Sequence, residues 1–110
     1  MPRVSLIDNA DYSFYLEIDL SDDDWVDQGA MNALYGSLNA CLCEALGLVI
    51  TKCCDYYASG LDRHGRRIRI INDSACYWLD VAVLTGGSDR DNDELENLVR
   101  QWASDLRPAV

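Results

Sequence analysis

A strict alternation of apolar and polar residues over residues 12–20, YSFYLEIDL, is the feature that most constrains the fold. One side of this segment carries Tyr12, Phe14, Leu16, Ile18 and Leu20. The other side carries Ser13, Tyr15, Glu17 and Asp19. A period of two is typical of a β-strand with one face in the core and the other towards water. The sequence therefore predicts a sheet that is covered on one face.

A long amphipathic helix is predicted directly after this strand. Ser21 is a favourable N-cap, and the three aspartates that follow it suit the positive end of a helix dipole. Apolar residues then recur at helical spacing as far as Leu46, and Gly47 supplies a C-terminal cap. The pattern predicts a helix over residues 22–46.

The second half of the chain predicts three strands and a final helix. Residues 48–58, 66–72 and 75–84 are rich in β-branched and aromatic residues. The last helix is predicted to begin near Asp91 or Asn92, with Asp91 as its cap and Glu94 completing a capping box. The predicted fold is a single α+β domain over residues 1–110. In it, one antiparallel sheet of about four strands packs on two helices in two layers, in the order β-α-β-β-β-α.

The charge of the chain is strongly acidic and unevenly distributed. Nineteen acids face nine lysines and arginines, which gives a net charge of −10. Residues 1–57 contain ten acids and only Arg3 and Lys52 as bases. Direct binding to nucleic acid needs a basic surface, so the composition argues against it and favours a basic protein partner.

Two acidic segments hold more carboxylates than a helix start needs. One cap and one or two acids in the first turn give most of the benefit, and further adjacent acids repel one another. The first set is Glu17, Asp19, Asp22, Asp23, Asp24 and Asp27. The second set is Asp89, Asp91, Asp93, Glu94 and Glu96. We predict that both sets contribute to a surface that binds a basic partner.

No motif predicts catalysis, a cofactor or a metal. His64 is the only histidine, and the segment TGGSDRD lacks the lysine and the spacing of a phosphate-binding loop. The segment DRDNDELE lacks the central glycine of a calcium loop and the glutamate at its twelfth position. Five cysteines are an odd number with no zinc-site spacing, which predicts reduced, buried thiols. We therefore predict a protein that is not an enzyme.

A cluster of arginines interrupts the acidic composition. Its members are Arg63, Arg66, Arg67 and Arg69. They can contact phosphate or an acidic partner, or they can neutralise neighbouring acids and discourage edge-to-edge pairing of strands. The structural role is the favoured interpretation.

The chain resembles one class of protein in its small size, its lack of a catalytic motif and its two acidic segments, EIDLSDDDWVD and SDRDNDELE. This class is the small phage anti-defence proteins, which include anti-CRISPR proteins and other DNA mimics. The resemblance implies a non-enzymatic inhibitor that binds the nucleic-acid-binding surface of a CRISPR effector complex or a nuclease and blocks access to DNA.

Three other interpretations remain open from the sequence. One is an immunity protein or secretion chaperone that binds a toxin or effector, and another is an enzyme that uses the aspartate-rich loops with a divalent metal. The third is a homodimeric regulatory domain. No apolar run is long enough to span a membrane, and the N-terminus lacks the apolar core of a signal peptide. A cytoplasmic protein is therefore expected, located in the host cytoplasm if a phage encodes it.

Overall fold

A computed structural model describes residues 2–108 as an α+β fold with one antiparallel sheet and two helices. The strands and helices in chain order are β1 (Arg3–Leu6), β2 (Phe14–Asp19), α1 (Gln28–Leu46), β3 (Val49–Cys53), β4 (Tyr57–Leu61), β5 (Arg67–Asp73), β6 (Trp78–Thr85) and α2 (Asp89–Ser104). The sheet has six strands in the order β1-β2-β6-β5-β4-β3. The predicted class is confirmed, and the predicted number of about four strands is wrong.

The two additional strands have different origins. Strand β1 is separate from β2 and pairs with it as an antiparallel hairpin. The predicted strand over residues 48–58 is instead a hairpin, because the chain reverses at residues 54–56 and Cys54 N–H donates to the Tyr57 carbonyl at 2.9 Å. This turn contains no glycine or proline, so a sequence pattern gives little sign of it.

Helix α1 begins at Gln28, several residues after its predicted start. Its N-cap is Asp27, whose carboxylate accepts a hydrogen bond from Ala30 N–H at 2.8 Å. Ser21 instead donates through its N–H and its hydroxyl to Asp19 Oδ1, at 2.9 Å and 2.6 Å. It therefore bonds back to the end of β2 and is not the cap, and residues 20–27 form a loop in which Leu20 and Val26 are both buried.

Helix α2 also begins earlier than predicted. Ser88 is its N-cap and accepts a hydrogen bond from Asp91 N–H at 3.2 Å. The Asp91 carboxylate accepts one from Ser88 N–H at 3.1 Å, which completes a capping box. Asp91 is therefore the second member of the box and not the cap.

Both helices pack on the same face of the sheet. Helix α1 contacts β5, and α2 contacts β1 and β2. The core between these layers contains Leu16, Ile18, Ile68, Ile70, Leu79, Val81, Leu38, Leu42, Leu95 and Val99, among others. Neither helix of the described chain is long and apolar enough to cross a membrane.

The opposite face of the sheet carries no helix, and we call it the open face. Strand alternation and pairing assign side chains to it. They are Arg3, Tyr15, Glu17, Asp19, Trp78, Asp80, Ala82, Arg67, Arg69, Ile71, Asp73, Tyr57, Ser59, Leu61, Lys52 and Val49. The predicted exposure of Tyr15, Glu17 and Asp19 on this face agrees with their positions, although all three are half-buried.

Candidate functional site

One end of the molecule is formed by three acidic segments, and we call residues 19–27, 54–56 and 73–77 the acidic end. Leu20 N–H donates to the Tyr77 carbonyl at 2.9 Å, which joins the first segment to the third. Asn72 donates through its amide nitrogen to the Asp55 carbonyl at 3.1 Å, which ties the second segment to β5. Together these segments contain seven aspartates and no lysine, arginine or histidine.

The loop over residues 20–27 presents its aspartates from an anchored backbone. Val26 N–H donates to the Asp23 carbonyl at 2.9 Å, and the Gln28 side chain donates to the Ser74 carbonyl at 2.9 Å. Buried Leu20 and Val26 hold the loop against the core, while Asp22, Asp24 and Asp27 are exposed and Asp23 is half-buried. The carboxylates therefore project from a fixed loop and not from the predicted first turn of a helix.

Arg3 partly neutralises one edge of the acidic end. Its guanidinium lies 3.0 Å from Asp19 and 3.3 Å from Asp22. Partial burial opposes the ionisation of Asp19, but hydrogen bonds from Ser21 and the charge of Arg3 outweigh it and lower the pKa of Asp19. Asp24 and Asp27 have no ion pair among the described residues.

The open face extends the acidic end with a second group of carboxylates. Glu17 lies directly opposite Asp80 across β2 and β6, and Asp73 lies diagonally from Asp80 on β5. Asp80 is only 6% exposed, and the Tyr15 hydroxyl donates to its Oδ2 at 2.5 Å. Burial raises the pKa of Asp80 to about 6, and the charges of Glu17 and Asp73 act in the same direction against the Tyr15 hydrogen bond.

Asp73, Asp80 and Asp55 were not among the predicted site residues. Asp80 lies within the apolar segment WLDVAVLT, where only its inward-outward alternation marks it as facing the open side. Its proximity to Glu17 depends on β6 being the neighbour of β2, and the strand order is not encoded in local sequence. Asp55 belongs to the turn that the sequence pattern did not reveal.

The second predicted set lies at the other end of the sheet, on α2, which follows the last residue of β6. Several of its members have local basic partners. Glu94 is 3.0 Å from Arg63, Glu96 is 2.9 Å from Arg100, and Asp91 is 3.8 Å from His64. Asp89 and Asp93 are exposed. The structure does not bring the two predicted sets together into one surface.

The arginine cluster is divided between two roles. Arg66 is fully buried and its Nε lies 2.8 Å from the carboxylate of Asp62. Arg63 donates to the Ala45 carbonyl at the end of α1. Arg67 and Arg69 lie on the open face, where the Arg69 guanidinium stacks 5.3 Å from the centre of the Tyr57 ring. Half of the cluster therefore supports the fold, as the favoured interpretation requires, and half faces outward.

A shallow cleft adjoins the acidic end. It has a volume of about 420 Å³ and is lined by Trp25, Asp27, Ala30, Ala33, Leu34, Arg107 and Pro108. Trp25 is half-buried and contacts the core. The cleft is mostly apolar, so it can accept an apolar side chain of a partner beside the carboxylates.

No group of three or more histidine, cysteine or acidic side chains within residues 2–108 is arranged to hold a metal ion. The five cysteines are free thiols, but the prediction that they are buried is wrong. Cys53, Cys54 and Cys76 are exposed, and Cys41 and Cys43 are half-buried.

Comparison of the chain with protein-family models, with curated proteins and with solved structures found no match.

Proposed function

We propose that this protein is a non-enzymatic inhibitor whose acidic end binds the basic nucleic-acid-binding surface of another protein. A CRISPR effector complex or a nuclease is the proposed target, and occupation of its basic surface blocks access to DNA. The observation that carries the proposal is the density of charge, because three segments that meet in space hold seven aspartates and no base.

The anchoring of the loop over residues 20–27 supports a role in binding. A basic groove that holds DNA presents lysines and arginines at fixed positions, and carboxylates at fixed positions can engage the same side chains. Because Leu20 and Val26 are buried, the loop loses little conformational entropy on binding. Asp22 and Asp24 are exposed and can reach a partner without rearrangement.

The second predicted set is a weaker candidate for this contact. Three of its five carboxylates, those of Glu94, Glu96 and Asp91, already lie beside Arg63, Arg100 and His64. A basic partner would have to displace these bases, which reduces the net electrostatic gain. The proposal therefore centres on the acidic end, and Asp89 and Asp93 provide matched controls.

The cleft beside Trp25 favours a second candidate function. An immunity protein or a secretion chaperone that binds a toxin or effector would use an apolar anchor at the centre of the contact, surrounded by charge. A cleft of about 420 Å³ with Trp25, Leu34 and Pro108 in its lining suits such an anchor. The identity of the captured partner separates the two candidates.

The experiment uses the immobilised protein to capture its partner from a host lysate, followed by measurement of binding and of the partner's DNA cleavage. The test variant is Asp22→Asn/Asp24→Asn, and the control is Asp89→Asn/Asp93→Asn, which removes the same charge from the other end. Loss of two contacting charges is expected to weaken binding by about 10- to 100-fold in the test variant alone.

Two outcomes would contradict the proposal. The first is a folded test variant that binds and inhibits as well as the unmodified protein. The second is a partner whose DNA binding is unaffected when the protein is bound, which would instead favour the immunity or chaperone function.

A further inference from the structure

The open face is electrically balanced, although the chain as a whole has a net charge of −10. Its acids are Asp19, Glu17, Asp73 and Asp80, and its bases are Arg3, Lys52, Arg67 and Arg69. Elsewhere acids outnumber bases by a wide margin, so two copies of the chain repel each other on most approaches. The open face is a large surface whose charges sum to zero, so it adds no repulsion of its own.

The charges of the open face are separated along a diagonal. The acids lie on β2, β6 and the end of β5, around Trp78, which pairs with both Asp19 and Asp73. Apart from Arg3, the bases lie on the start of β5 and on the edge strand β3, where Lys52 pairs with Ser59 and Ser59 pairs with Arg69. Strand spacing and rise place the centres of the two groups roughly 15 Å apart.

We propose that the open face binds the open face of a second copy of this chain, forming a homodimer about a two-fold axis that lies between the two sheets. The axis runs perpendicular to the line joining the acidic and basic groups. Because a two-fold interface is self-complementary, each acidic group then meets the basic group of the other copy, and both contacts form at once.

The strand register specifies the contacts in this dimer. We placed adjacent strands, and successive residues along each strand, at the spacings usual for a β-sheet. Glu17 then falls opposite Arg67 and Arg69 of the second copy. Asp80 falls opposite Arg69 of the second copy, and Asp73 opposite Lys52. Ile71 lies near the axis and packs on its own counterpart, which places an apolar contact at the centre of the interface.

Two side chains in this arrangement have polar atoms that the described residues of one copy leave unsatisfied. These atoms are Asp80 Oδ1 and Arg69 Nε, which are buried without a hydrogen-bond partner among residues 2–108. The same two side chains fall opposite each other in the dimer. The second copy therefore places a side chain of opposite charge beside Asp80 and beside Arg69. Water screens these charges only weakly because Asp80 is buried and Arg69 is half-buried, and this strengthens their attraction.

The area of the face sets the strength of the association. Six strands about 4.8 Å apart and roughly 20 Å long give a footprint of about 500 Å² per copy, which is at the lower end for a stable interface. The exposed Val49 and Leu61 add an apolar margin. The dimer is therefore reversible and sensitive to concentration and salt.

The dimer does not depend on the proposed function. Asp22, Asp24 and Asp27 lie in the loop before α1 and outside the open face, so they remain available to another partner. Loss of inhibitor binding in the loop variant would leave the dimer unaffected. Loss of the dimer would likewise leave the acidic loop in place.

Analytical ultracentrifugation of the whole chain over a wide range of concentrations tests the proposal. At about 0.05 M NaCl the protein is expected to reach the mass of a dimer. At about 0.5 M NaCl, where the screening length falls to roughly 4 Å, its dissociation constant is expected to rise at least tenfold. A monomer at every concentration in low salt would overturn the proposal.

A charge-swap experiment tests the arrangement itself. Glu17→Lys alone and Arg69→Glu alone are each expected to be monomeric. The first places a lysine opposite Arg67 and Arg69 of the second copy, the second places a glutamate opposite Glu17 and Asp80, and each of these like-charge contacts forms twice in the dimer. An equimolar mixture is expected to dimerise more tightly than either variant alone. One Glu17 of the mixed dimer keeps Arg67 and Arg69 opposite it, and the new lysine of one variant meets the new glutamate of the other. The controls Glu44→Lys and Arg90→Glu make the same charge changes at exposed positions on the helices and are expected to dimerise alone.

Near-ultraviolet circular dichroism and the thermal midpoint establish that each variant is folded. If either variant fails to fold, Asp73→Lys and Lys52→Glu form an equivalent pair. The arrangement is refuted if a folded single variant dimerises as the unmodified chain does, or if the mixture of folded variants stays monomeric.

Discussion

Replacement of Asp62 by asparagine is expected to destabilise the fold more than any other single change of charge. The side chains of Asp62 and Arg66 are both fully buried. The Asp62 carboxylate accepts hydrogen bonds from His64 N–H at 3.0 Å, from Arg66 N–H at 2.8 Å and from Arg66 Nε at 2.8 Å. No other carboxylate lies in an ion pair with Arg66 within the described chain.

The surroundings of Arg66 prevent it from reaching water when Asp62 is changed. A Cβ atom at Gly87 would lie 2.5 Å from Arg66 Cδ, so the loop before α2 lies directly on the arginine side chain. Arg66 Nη1 and Nη2 are also buried without hydrogen-bond partners among residues 2–108. The Asp62→Asn variant therefore leaves a buried guanidinium without its counter-charge.

The magnitude follows from this burial. Removal of one member of a buried ion pair costs about 3–5 kcal/mol, because the remaining charge stays desolvated. A domain of this size has a total stability of about 5–15 kcal/mol, so the variant loses a large part of it. With a urea dependence of about 1–3 kcal/mol per molar, the unfolding midpoint is expected to fall by about 2 M.

Urea unfolding at pH 7, followed by tryptophan fluorescence, measures the effect, with Asp24→Asn as an exposed control that shifts stability by less than about 0.5 kcal/mol. The double variant Asp62→Asn/Arg66→Met removes the buried charge and fills its space with an unbranched apolar chain. It is expected to be more stable than Asp62→Asn alone. A loss below about 1 kcal/mol for the single variant, at an unchanged urea dependence, would refute the reasoning.

Three further predictions concern the hairpin, the helix start and the open face. Gly60→Ala is expected to destabilise by about 3 kcal/mol in urea unfolding, because its Cβ would lie 2.0 Å from a backbone oxygen of β3. Gly36→Ala, which meets nothing within 4 Å in α1, is expected to stabilise by about 0.5–1 kcal/mol, and the opposite order would contradict this account. Asp27→Ala is expected to cost about 1 kcal/mol and Ser21→Ala less, and equal losses would argue against a helix that starts after Asp27. Asp80 has a folded pKa of about 6, above its unfolded value, so its contribution to stability is full below about pH 4 and is lost as the pH rises through 6. In about 0.5 M NaCl, Asp80→Asn is therefore expected to be more stable by up to about 3 kcal/mol at pH 7.5 and unchanged near pH 4, whereas a benefit independent of pH would contradict the raised pKa.

Local sequence patterns predicted the elements whose limits depend on near neighbours. The alternation over residues 12–20 is confirmed by β2 at Phe14–Asp19. The helix end at Gly47 is confirmed as well, because this residue adopts a left-handed conformation with φ of 61°. Both signals are local, since a strand period and a glycine cap act within a few residues.

Local sequence patterns gave wrong predictions where contacts between distant residues determine which of two local structures forms. Ser21 and Asp27 are both suitable caps, but Ser21 bonds to the Asp19 carboxylate at the end of β2, and Asp27 caps the helix. The β3–β4 hairpin was missed because its turn has no glycine or proline and its strands form one continuous β-prone run.

The candidate site shows the same division. Glu17 and Asp19 were placed on the face away from the core by alternation alone. Asp73 and Asp80 join them only because β6 lies between β2 and β5, and no periodicity within a segment determines that neighbourhood. The arrangement of charges on the open face was therefore beyond sequence reasoning.

The central position of β6 has a consequence for how the chain folds as it is synthesised. The N-terminal hairpin of β1 and β2 is made first, but Tyr15 meets Asp80 only after another 65 residues. At roughly 5–20 residues per second the hairpin waits about 3–13 seconds on the ribosome for its neighbour. An isolated two-stranded hairpin is marginally stable, so the apolar side chains of β2 stay exposed during that interval. Strand β6 joins the hairpin to the β3–β5 meander, and a nascent chain that stops before it has two separate pieces of sheet.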